Sequence, residues 1–263
     1  MKSLSFKNAH VFVTGASSGI GRELAYCFAE EGARLTLVAR RLDRLDELAK
    51  KLQATYNTEA LVISTDLTDP GSRVKAIEQA RAQFGPIDCL VNNAGVGVYG
   101  NLVDVKWEKT LFQMKINMEA LVHLTYLVLP EMIKRRSGSI LNIASVVSFM
   151  AIPVEAVYAA TKSFVLSFTE GIYPELRPYG IRVCALCPGT TDTEFFDTGN
   201  FKRDAKFQRA KRMNPRHVAK VGISGLKKGK LIAIPGILNK ISLLIIKPIP
   251  RKLLGRFLNY IMK

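Results

Sequence analysis

Cysteine and long apolar runs are both scarce in this chain of 263 residues, and each absence excludes a class of protein. The four cysteines are scattered too widely for a secreted domain held by disulfides. The longest apolar segment, 231–246, is shorter than the ~20 residues of a transmembrane helix and contains Pro235, Asn239 and Lys240. No secretory leader is recognisable at the N-terminus. We therefore predict a cytoplasmic protein without a membrane span.

Metal-binding residues are equally sparse. The three histidines, at positions 10, 123 and 217, are far apart in the sequence. Cys184 and Cys187 have the spacing Cys-x-x-Cys, but residues three apart in a strand face opposite sides, and no second pair accompanies them. We predict that these cysteines pack in the core and that the protein binds no metal.

Acidic residues are almost absent from the last quarter of the chain. Residues 1–201 contain 21 basic and 21 acidic side chains, whereas residues 202–263 contain 17 basic side chains and one acid, Asp204. The formal net charge of +16 therefore belongs to the C-terminal part alone. No nucleic-acid-binding module or series of stacking aromatics accompanies this charge, so we rank nucleic acid low among the candidate partners.

Short apolar runs alternate with helical patterns through most of the sequence. Runs rich in Val, Ile and Leu indicate strands covered on both faces, and strand–helix alternation indicates a parallel sheet. We predict an α/β fold with one doubly wound sheet of about seven strands and helices on both faces. The predicted strands are 11–13, 35–38, 60–63, 90–91, 140–143, 183–186 and 230–234. A catalytic domain is predicted over 1–236, followed by an amphipathic helical extension over 237–263.

A glycine-rich turn joins the first predicted strand to the first helix. It reads Thr14-Gly15-Ala16-Ser17-Ser18-Gly19-Ile20-Gly21. Glycines let the backbone turn sharply and approach a pyrophosphate, and the helix start supplies N–H groups and the positive end of a dipole. The spacing differs from the commoner Gly-x-Gly-x-x-Gly pattern. Because the turn follows a strand and opens a helix, we favour a dinucleotide site over an ordinary tight turn.

The end of the second strand indicates which dinucleotide binds. An acid there would accept the ribose 2′-hydroxyl of NAD(H), whereas an arginine would bind the 2′-phosphate of NADP(H). The strand ends in Arg40 and Arg41, and the first acid is Asp43. Arg40 can contact a phosphate through two N–H groups, and Ser17 can add a hydroxyl. We predict that NADP(H) is preferred over NAD(H); for Arg41, an exposed position at a helix start is the alternative.

The motif Tyr158-x-x-x-Lys162 carries the sharpest chemical signal. On a helix both side chains lie on one face, and the ammonium would lower the tyrosine pKa from its usual ~10. Such a tyrosine can protonate a carbonyl oxygen while hydride reaches the carbon. Ser145, after a predicted strand, can hydrogen-bond the same oxygen. Asn117, in a long apolar helix, can either hold a water beside Lys162 or cap a backbone kink.

Taken in order along the chain, these motifs resemble those of the short-chain dehydrogenase/reductase family. The resemblance covers roughly residues 8–235 and rests on Thr14-Gly15-x-x-x-Gly19-x-Gly21, Asp66, Asn92-Asn93-Ala94-Gly95, Asn117, Ser145, Tyr158-x-x-x-Lys162 and Pro188-Gly189. It implies a Rossmann-like fold and an NADP-preferring oxidoreductase that transfers hydride between nicotinamide and a carbonyl or secondary alcohol.

The resemblance also implies roles for single residues. Tyr158 would be the general acid/base, Lys162 would tune it and bind the nicotinamide ribose, Ser145 would polarise the carbonyl, and Asn117 would complete a proton relay. The cofactor-binding residues would be Gly15, Ser17, Ser18, Gly19, Ile20, Gly21, Arg40, Asp66, Asn93, Ala94, Gly95, Tyr158, Lys162, Pro188, Gly189 and Thr193.

Three segments beyond the strand ends are expected to form the substrate pocket: 96–106, 146–157 and 190–212. The middle one is apolar, which favours a lipophilic ketone or 3-oxoacyl substrate and a place in lipid metabolism. We predict substrate contacts from Ser145, Tyr158, Phe149 and Phe195; for the apolar side chains of 146–153, which include Phe149, packing under the lid is the alternative. Residues 190–212 are predicted to be a lid, whose cations would either meet an anionic group of the substrate or form a plain basic helix.

The last helical pattern, 251–263, is amphipathic and basic. Its apolar side chains share one face: Leu253, Leu254, Phe257, Leu258, Ile261 and Met262. Such a helix can lie on an anionic membrane surface, pack on the enzyme's own core or meet a second subunit. A homodimer or tetramer is expected through 107–129 and 156–173. The competing function is a cofactor-binding scaffold or membrane-associated interaction protein without turnover.

Overall fold

A computed structural model, which describes residues 4–197 and 212–262, contains one parallel sheet of seven strands. The strands are β1 (His10–Thr14), β2 (Arg34–Ala39), β3 (Ala60–Ser64), β4 (Cys89–Asn92), β5 (Gly138–Ile143), β6 (Ile181–Leu186) and β7 (Ile232–Ala233). Their order across the sheet is β3-β2-β1-β4-β5-β6-β7. The predicted Rossmann-like, doubly wound α/β fold is thereby confirmed.

Helices cover both faces of this sheet. They are α1 (Gly19–Glu30), α2 (Leu42–Tyr56), α3 (Pro70–Phe84), α4 (Trp107–Met114), α5 (Ala120–Arg135), α6 (Ala156–Leu176), α7 (Pro215–Lys227), α8 (Ile237–Ile246) and α9 (Arg251–Met262). Helices α1, α2 and α7 pack on one face, and α3, α5 and α6 on the other. Covering on both sides explains why Val11, Phe12 and Val13 of β1 are all fully buried.

The long helix expected over 107–129 differs from the prediction. A π-helical turn, Lys115–Glu119, separates α4 from α5, and α5 continues past Pro130 to Arg135. A π turn adds a residue to one helical turn and re-aims the side chains around it. Here it directs Ile116 and Asn117 into the protein interior.

The strand order reverses between β1 and β4, and this is where a doubly wound sheet opens a crevice at its carboxyl edge. The glycine turn follows β1, and the segment containing Asn93 follows β4. Further along the same edge, Ser145 follows β5 and Pro188 follows β6. The sheet therefore gathers residues from four separate parts of the sequence.

Helices α8 and α9 follow β7 and form the helical extension that the sequence indicated. In the described ranges, no helix has both the length and the hydropathy of a bilayer-spanning segment. The division into two regions at residue 236, the cytoplasmic location and the homodimer or tetramer stay predictions.

Candidate active site

A cleft of about 430 Å³ lies across the carboxyl edge of the sheet. Most of the predicted site residues line it: Gly15, Ser17, Ser18, Gly19, Ile20, Arg40, Asp66, Asn93, Ala94, Gly95, Ser145, Tyr158, Lys162, Pro188, Gly189, Thr193 and Phe195. Gly21, Asn117 and Phe149 are the predicted residues that do not. The fold thus brings the two ends of the predicted chemistry, the glycine turn and Tyr158, into one cavity.

The glycine turn has the conformation of a phosphate cradle. Gly15 and Gly19 have φ angles of +65° and +56°, which side chains larger than hydrogen rarely permit. A Cβ on Gly19 would also lie 2.9 Å from Cγ2 of Thr193. Ser18 precedes α1 without capping it through its side chain, so the first-turn N–H groups face the cleft. This arrangement fits the pyrophosphate of a dinucleotide.

Thr14 and Asn93 hold the glycine turn in place. The Thr14 hydroxyl accepts hydrogen bonds from the backbone N–H of Asn93 and Ala94, at 2.9 and 3.0 Å. The Asn93 side-chain amide donates to the carbonyl oxygens of Thr14 and Gly15, at 2.9 and 3.1 Å. Gly21 packs behind the turn, where a Cβ would lie 2.3 Å from the Gly15 oxygen. Asn93 therefore supports the cradle as well as lining the cleft.

Arg41, for which an exposed position at a helix start is the alternative, lines the cleft. Its guanidinium donates to the hydroxyls of Ser17 (3.0 Å) and Ser18 (2.8 Å) and to the Glu194 carboxylate (2.7 Å). Arg44 binds the same carboxylate. These two arginines lower the Glu194 pKa through hydrogen bonds and charge. The sequence could not show this cluster, because Glu194 lies 153 residues after Arg41.

Arg40 lies beside this cluster and also lines the cleft. Its guanidinium stacks over the Phe112 ring, 5.2 Å from the ring centroid. Asp66, at the same end of the cleft, is exposed and accepts hydrogen bonds from the backbone and hydroxyl of Thr68, both at 2.9 Å. Two arginines, Arg40 and Arg41, and two carboxylates, Asp66 and Glu194, thus line the end of the cleft nearest to β2.

A short 3₁₀ turn, Val146–Phe149, positions Ser145 at the other end. The Ser145 hydroxyl accepts a hydrogen bond from the Val147 backbone N–H at 3.3 Å and donates to the Pro188 carbonyl at 3.4 Å. Ser148 fastens the turn to α6 by donating to the Lys162 carbonyl at 2.8 Å. Ser145 is therefore fixed both to β6 and to the helix that carries Tyr158.

Tyr158 and Lys162 share one face of α6, and both side chains are buried. The Tyr158 ring packs against Phe195, with centroids 5.4 Å apart. The Lys162 Nζ donates to the Ile143 carbonyl at 2.8 Å and lies 5.9 Å from the Tyr158 ring centroid. The lysine is thus tethered to the end of β5 and runs beneath the tyrosine.

The expected lowering of the Tyr158 pKa is not what the structure shows. Burial raises the pKa of Tyr158, the charge of Glu155 raises it further, and a hydrogen bond with Ser145 acts in the opposite direction. Burial also lowers the pKa of Lys162 to about 8. Desolvation is the largest influence on the phenol and outweighs the hydrogen bond with Ser145. At neutral pH Tyr158 therefore holds its proton.

Asn117 does not line the cleft; its buried side chain forms hydrogen bonds with neighbouring segments of the protein. Its side-chain amide donates to the carbonyl of Val96 and to the hydroxyl of Thr161, both at 2.9 Å. Its oxygen accepts from the Val96 N–H at 2.9 Å. The side chain thus joins the π turn to the loop after β4 and to α6. Its part in a proton relay stays a prediction.

The two predicted substrate phenylalanines are placed differently. Phe195 lines the cleft against Tyr158. Phe149 is the last residue of the 3₁₀ turn, is 39% exposed and does not line the cleft. A substrate contact from Phe149 thus stays a prediction without support from its position.

Most of the predicted lid, 198–211, lies outside the described residues. The two ends of the segment are joined by backbone hydrogen bonds: Met213 N–H donates to Thr190, and Asp192 N–H donates to Met213, both at 2.9 Å. Thr191 and Met213 form an isolated parallel bridge at this point.

Glu155 is a site residue that sequence reasoning missed. It lines the cleft one helical turn before Tyr158 and is 6% exposed. Burial raises the pKa of its carboxyl from 4.5 to about 7. The sequence showed an acid in an apolar segment, but only the fold shows that the acid faces inward.

Replacing Glu155 by Gln is expected to change the pH dependence of both activity and stability. Without the carboxylate the pKa of Tyr158 falls, so alcohol oxidation, which needs the tyrosinate, should begin at lower pH. The raised pKa also means that ionised Glu155 destabilises the fold, a loss that develops as pH rises from 4.5 to about 7. In mildly alkaline buffer Glu155→Gln should be more stable by on the order of 2 kcal/mol.

Chemical denaturation across this pH range measures the stability effect of Glu155→Gln. Glu175→Gln, an exposed acid on the same helix, is the matched control and should leave both profiles unchanged. Parallel stability curves for Glu155→Gln and the parent chain would contradict the prediction.

The described residues contain no cluster of three or more His, Cys, Asp or Glu side chains that could hold a metal ion. Cys184 and Cys187 are buried, and burial raises the pKa of each thiol to about 12. The chemistry of the cleft is therefore that of a phosphate cradle, arginines, a buried phenol and a hydroxyl. Fold and site together define a dinucleotide-dependent oxidoreductase.

Comparison with known proteins gives the family. The short chain dehydrogenase model matches residues 9–203, and the chain belongs to that family. An uncharacterized oxidoreductase of Staphylococcus epidermidis is 34% identical over 196 residues, covering 74% of this chain and 84% of the relative. A short chain dehydrogenase of Pseudocercospora fijiensis is 36% identical over 184 residues; that match covers 69% of this chain and 59% of the longer relative.

Solved structures agree with this assignment. A short-chain dehydrogenase from Sphingobium yanoikuyae in complex with NADPH is 32% identical, with a TM-score of 0.81 over 92% of this chain and 96% of that chain. A bulky-bulky ketone specific alcohol dehydrogenase from Comamonas testosteroni is 29% identical, with a TM-score of 0.77 over 92% and 95%. A Burkholderia phymatum enzyme in complex with NAD, 24% identical, shares the fold with a TM-score of 0.85 over 92% and 93%. The protein is thus a hydride-transfer oxidoreductase with a nicotinamide cofactor.

Proposed function

We propose that the protein reduces a lipophilic ketone or 3-oxoacyl compound to the secondary alcohol, with NADPH as the hydride donor. The observation that carries this proposal is the position of Tyr158. Its phenol is buried in the cleft that contains the phosphate cradle, where burial raises its pKa and favours the form that can donate a proton. Reduction needs a proton donor at this position, whereas oxidation needs the tyrosinate.

Different residues of the cleft bind the cofactor, orient the carbonyl group and supply the proton. The glycine turn and the N-terminus of α1 bind the pyrophosphate, and Lys162 is placed to hold the nicotinamide ribose. When bound, the nicotinamide supplies hydride to the carbonyl carbon. Ser145 donates a hydrogen bond to the carbonyl oxygen, and Tyr158 transfers its phenolic proton to that oxygen. The phenol is then restored by a proton from solvent.

The preference for NADPH is supported by the charge at the β2 end of the cleft. Arg40 and Arg41 both line this end, and Arg41 already binds a carboxylate there. A 2′-phosphate presents a similar anionic, multi-oxygen acceptor to the guanidinium. The NADPH complex of the 32% identical relative agrees with this choice.

A lipophilic substrate is supported by the surroundings of Tyr158. Val146 and Val147 follow Ser145 directly, and Phe195 packs on the Tyr158 ring. Apolar walls with a few convergent polar groups are typical of a pocket for an apolar ligand. The relative described as specific for bulky-bulky ketones is consistent with such a substrate.

Steady-state kinetics with a series of methyl ketones of increasing chain length would test the proposal. The loss of nicotinamide absorbance is followed with NADPH and, separately, with NADH. We expect kcat/KM to rise about fourfold with each methylene that enters the apolar pocket, until the pocket is filled. Turnover that falls with chain length, or no turnover with either nucleotide, would refute the proposal.

A further inference from the structure

Helices α8 and α9 carry many apolar side chains that are exposed to solvent. None of the α8 side chains is buried, although the helix is composed mainly of Ile and Leu. Leu238 and Leu244 are each 71% exposed, and Tyr260 of α9 is 85% exposed. We call the surface formed by the following side chains the tail surface: Ile237, Leu238, Ile241, Leu244, Ile245, Ile249, Leu253, Phe257 and Tyr260. Exposed apolar side chains concentrated on two consecutive helices in this way indicate an interaction site.

The α8 part of the tail surface is a single stripe. Ile237, Ile241 and Leu244 recur at helical spacing and are exposed, whereas Asn239 faces the enzyme and packs on Gly189. Positions 240 and 247 hold lysines, and 100° per residue places both along one border of the stripe. The helix is therefore amphipathic with its apolar face outward.

On α9, the apolar face indicated by the sequence is partly buried against the protein and partly exposed. Leu254 is buried against the protein, whereas Leu253 and Phe257 point outward. Lys252 and Arg256 lie next to these two side chains on the helix circumference and are also exposed. The helix is thus docked on the enzyme by one edge and presents a second apolar edge bordered by cations.

The charge of the tail surface indicates which kind of partner it can bind. Residues 205–263 contain no acid, so no carboxylate within this part of the sequence neutralises the cations along the border. A second copy of this chain, meeting the tail surface in a two-fold dimer, would bring the same cations face to face. An anionic lipid surface offers the opposite charge at its headgroups and an apolar layer beneath them.

We propose that the tail surface binds an anionic lipid bilayer, with the apolar side chains below the headgroups and the lysines and arginines among them. The inference goes beyond the proposed function, because lipid binding needs neither nucleotide nor substrate. The contact between Asn239 and Gly189 places the bound bilayer beside the cleft. The protein would then lie on the membrane without crossing it.

Vesicle flotation with the full-length chain tests this proposal. The vesicles are phosphatidylcholine alone or phosphatidylcholine mixed with phosphatidylglycerol, at low and at high salt. We expect the protein to float only with the anionic vesicles and to be released by salt. Removing four cations should lower the partition coefficient by about fivefold for each cation; the substitutions are Lys240→Gln, Lys247→Gln, Lys252→Gln and Arg256→Gln.

A second variant tests the apolar contribution, and a control tests the charge effect. Leu244→Ser with Phe257→Ser removes two exposed side chains, so the fold is retained while flotation should be lost. The matched control removes four exposed lysines elsewhere and should float like the parent chain: Lys50→Gln, Lys75→Gln, Lys109→Gln and Lys134→Gln.

Three outcomes would overturn the proposal. The first is equal binding to neutral and anionic vesicles, and the second is equal loss of binding in the control variant. The third is a change of oligomeric state in Leu244→Ser/Phe257→Ser, measured by light scattering, without a change in flotation. That last result would identify the tail surface as a subunit interface. Each of these results is independent of whether the chain turns over a ketone.

Discussion

Tyr158→Phe is expected to lower kcat for ketone reduction by about 10²–10⁴-fold, because it removes the group that donates a proton to the carbonyl oxygen. The ring itself remains, so its packing on Phe195 should persist. NADPH binding, measured by nicotinamide fluorescence, should therefore change little. The loss should appear in kcat at saturating nucleotide and ketone.

Tyr126→Phe is the matched control for this experiment. Tyr126 is 70% exposed on α5, so the same chemical change there should leave kcat unaltered. A Tyr158→Phe enzyme with full kcat would remove the general-acid role. A parent chain that binds NADPH but reduces no ketone would instead favour the scaffold alternative.

Removing both arginines at the β2 end of the cleft is expected to abolish the preference for NADPH. Charge-assisted contacts to a phosphate are each worth ~1.5–3 kcal/mol, so Arg40→Ala/Arg41→Ala should raise KM for NADPH roughly a hundredfold. KM for NADH should change little, since NADH lacks the 2′-phosphate. Initial rates with each nucleotide at a fixed ketone concentration measure the ratio.

Glu194→Gln is the informative companion to the arginine variant. The Glu194 carboxylate binds Arg41 and Arg44, so it competes with a 2′-phosphate for the same guanidinium. Its removal should lower KM for NADPH and leave KM for NADH unchanged. The arginine variant could instead raise KM for NADPH and for NADH by the same factor. Arg40 and Arg41 would then contribute to pyrophosphate binding or to the stability of the fold, and the proposed preference for NADPH would lose its basis.

The residues that local motifs encode were found from the sequence. Short local motifs are sufficient to identify the glycine turn, Ser145, Tyr158 and Lys162. Parallel strands end at one edge, so predicting the strands was enough to bring these motifs to one cleft. Asn93 and Pro188, which follow β4 and β6, are indicated only by the resemblance to the family.

The features that depend on distant contacts could not be found in this way. For Arg41 the sequence leaves an exposed position at a helix start open as the alternative, because its partner, Glu194, lies 153 residues further along the chain. Glu155 is an acid in an apolar segment, and only the fold shows that it is 6% exposed. The pKa of Tyr158 was expected to fall, because spacing shows that Lys162 is near but not that its ammonium is held by Ile143.

The backbone hydrogen bonds between Thr190, Asp192 and Met213 have a consequence for how substrate range can diversify. They hold Met213 beside Thr190 and Asp192, so the two ends of the segment between these residues are joined. Closing a loop between joined ends costs little more when the loop is lengthened. Segments of different length and chemistry could be exchanged between Asp192 and Arg212 while the Ser145, Tyr158 and Lys162 geometry is inherited intact.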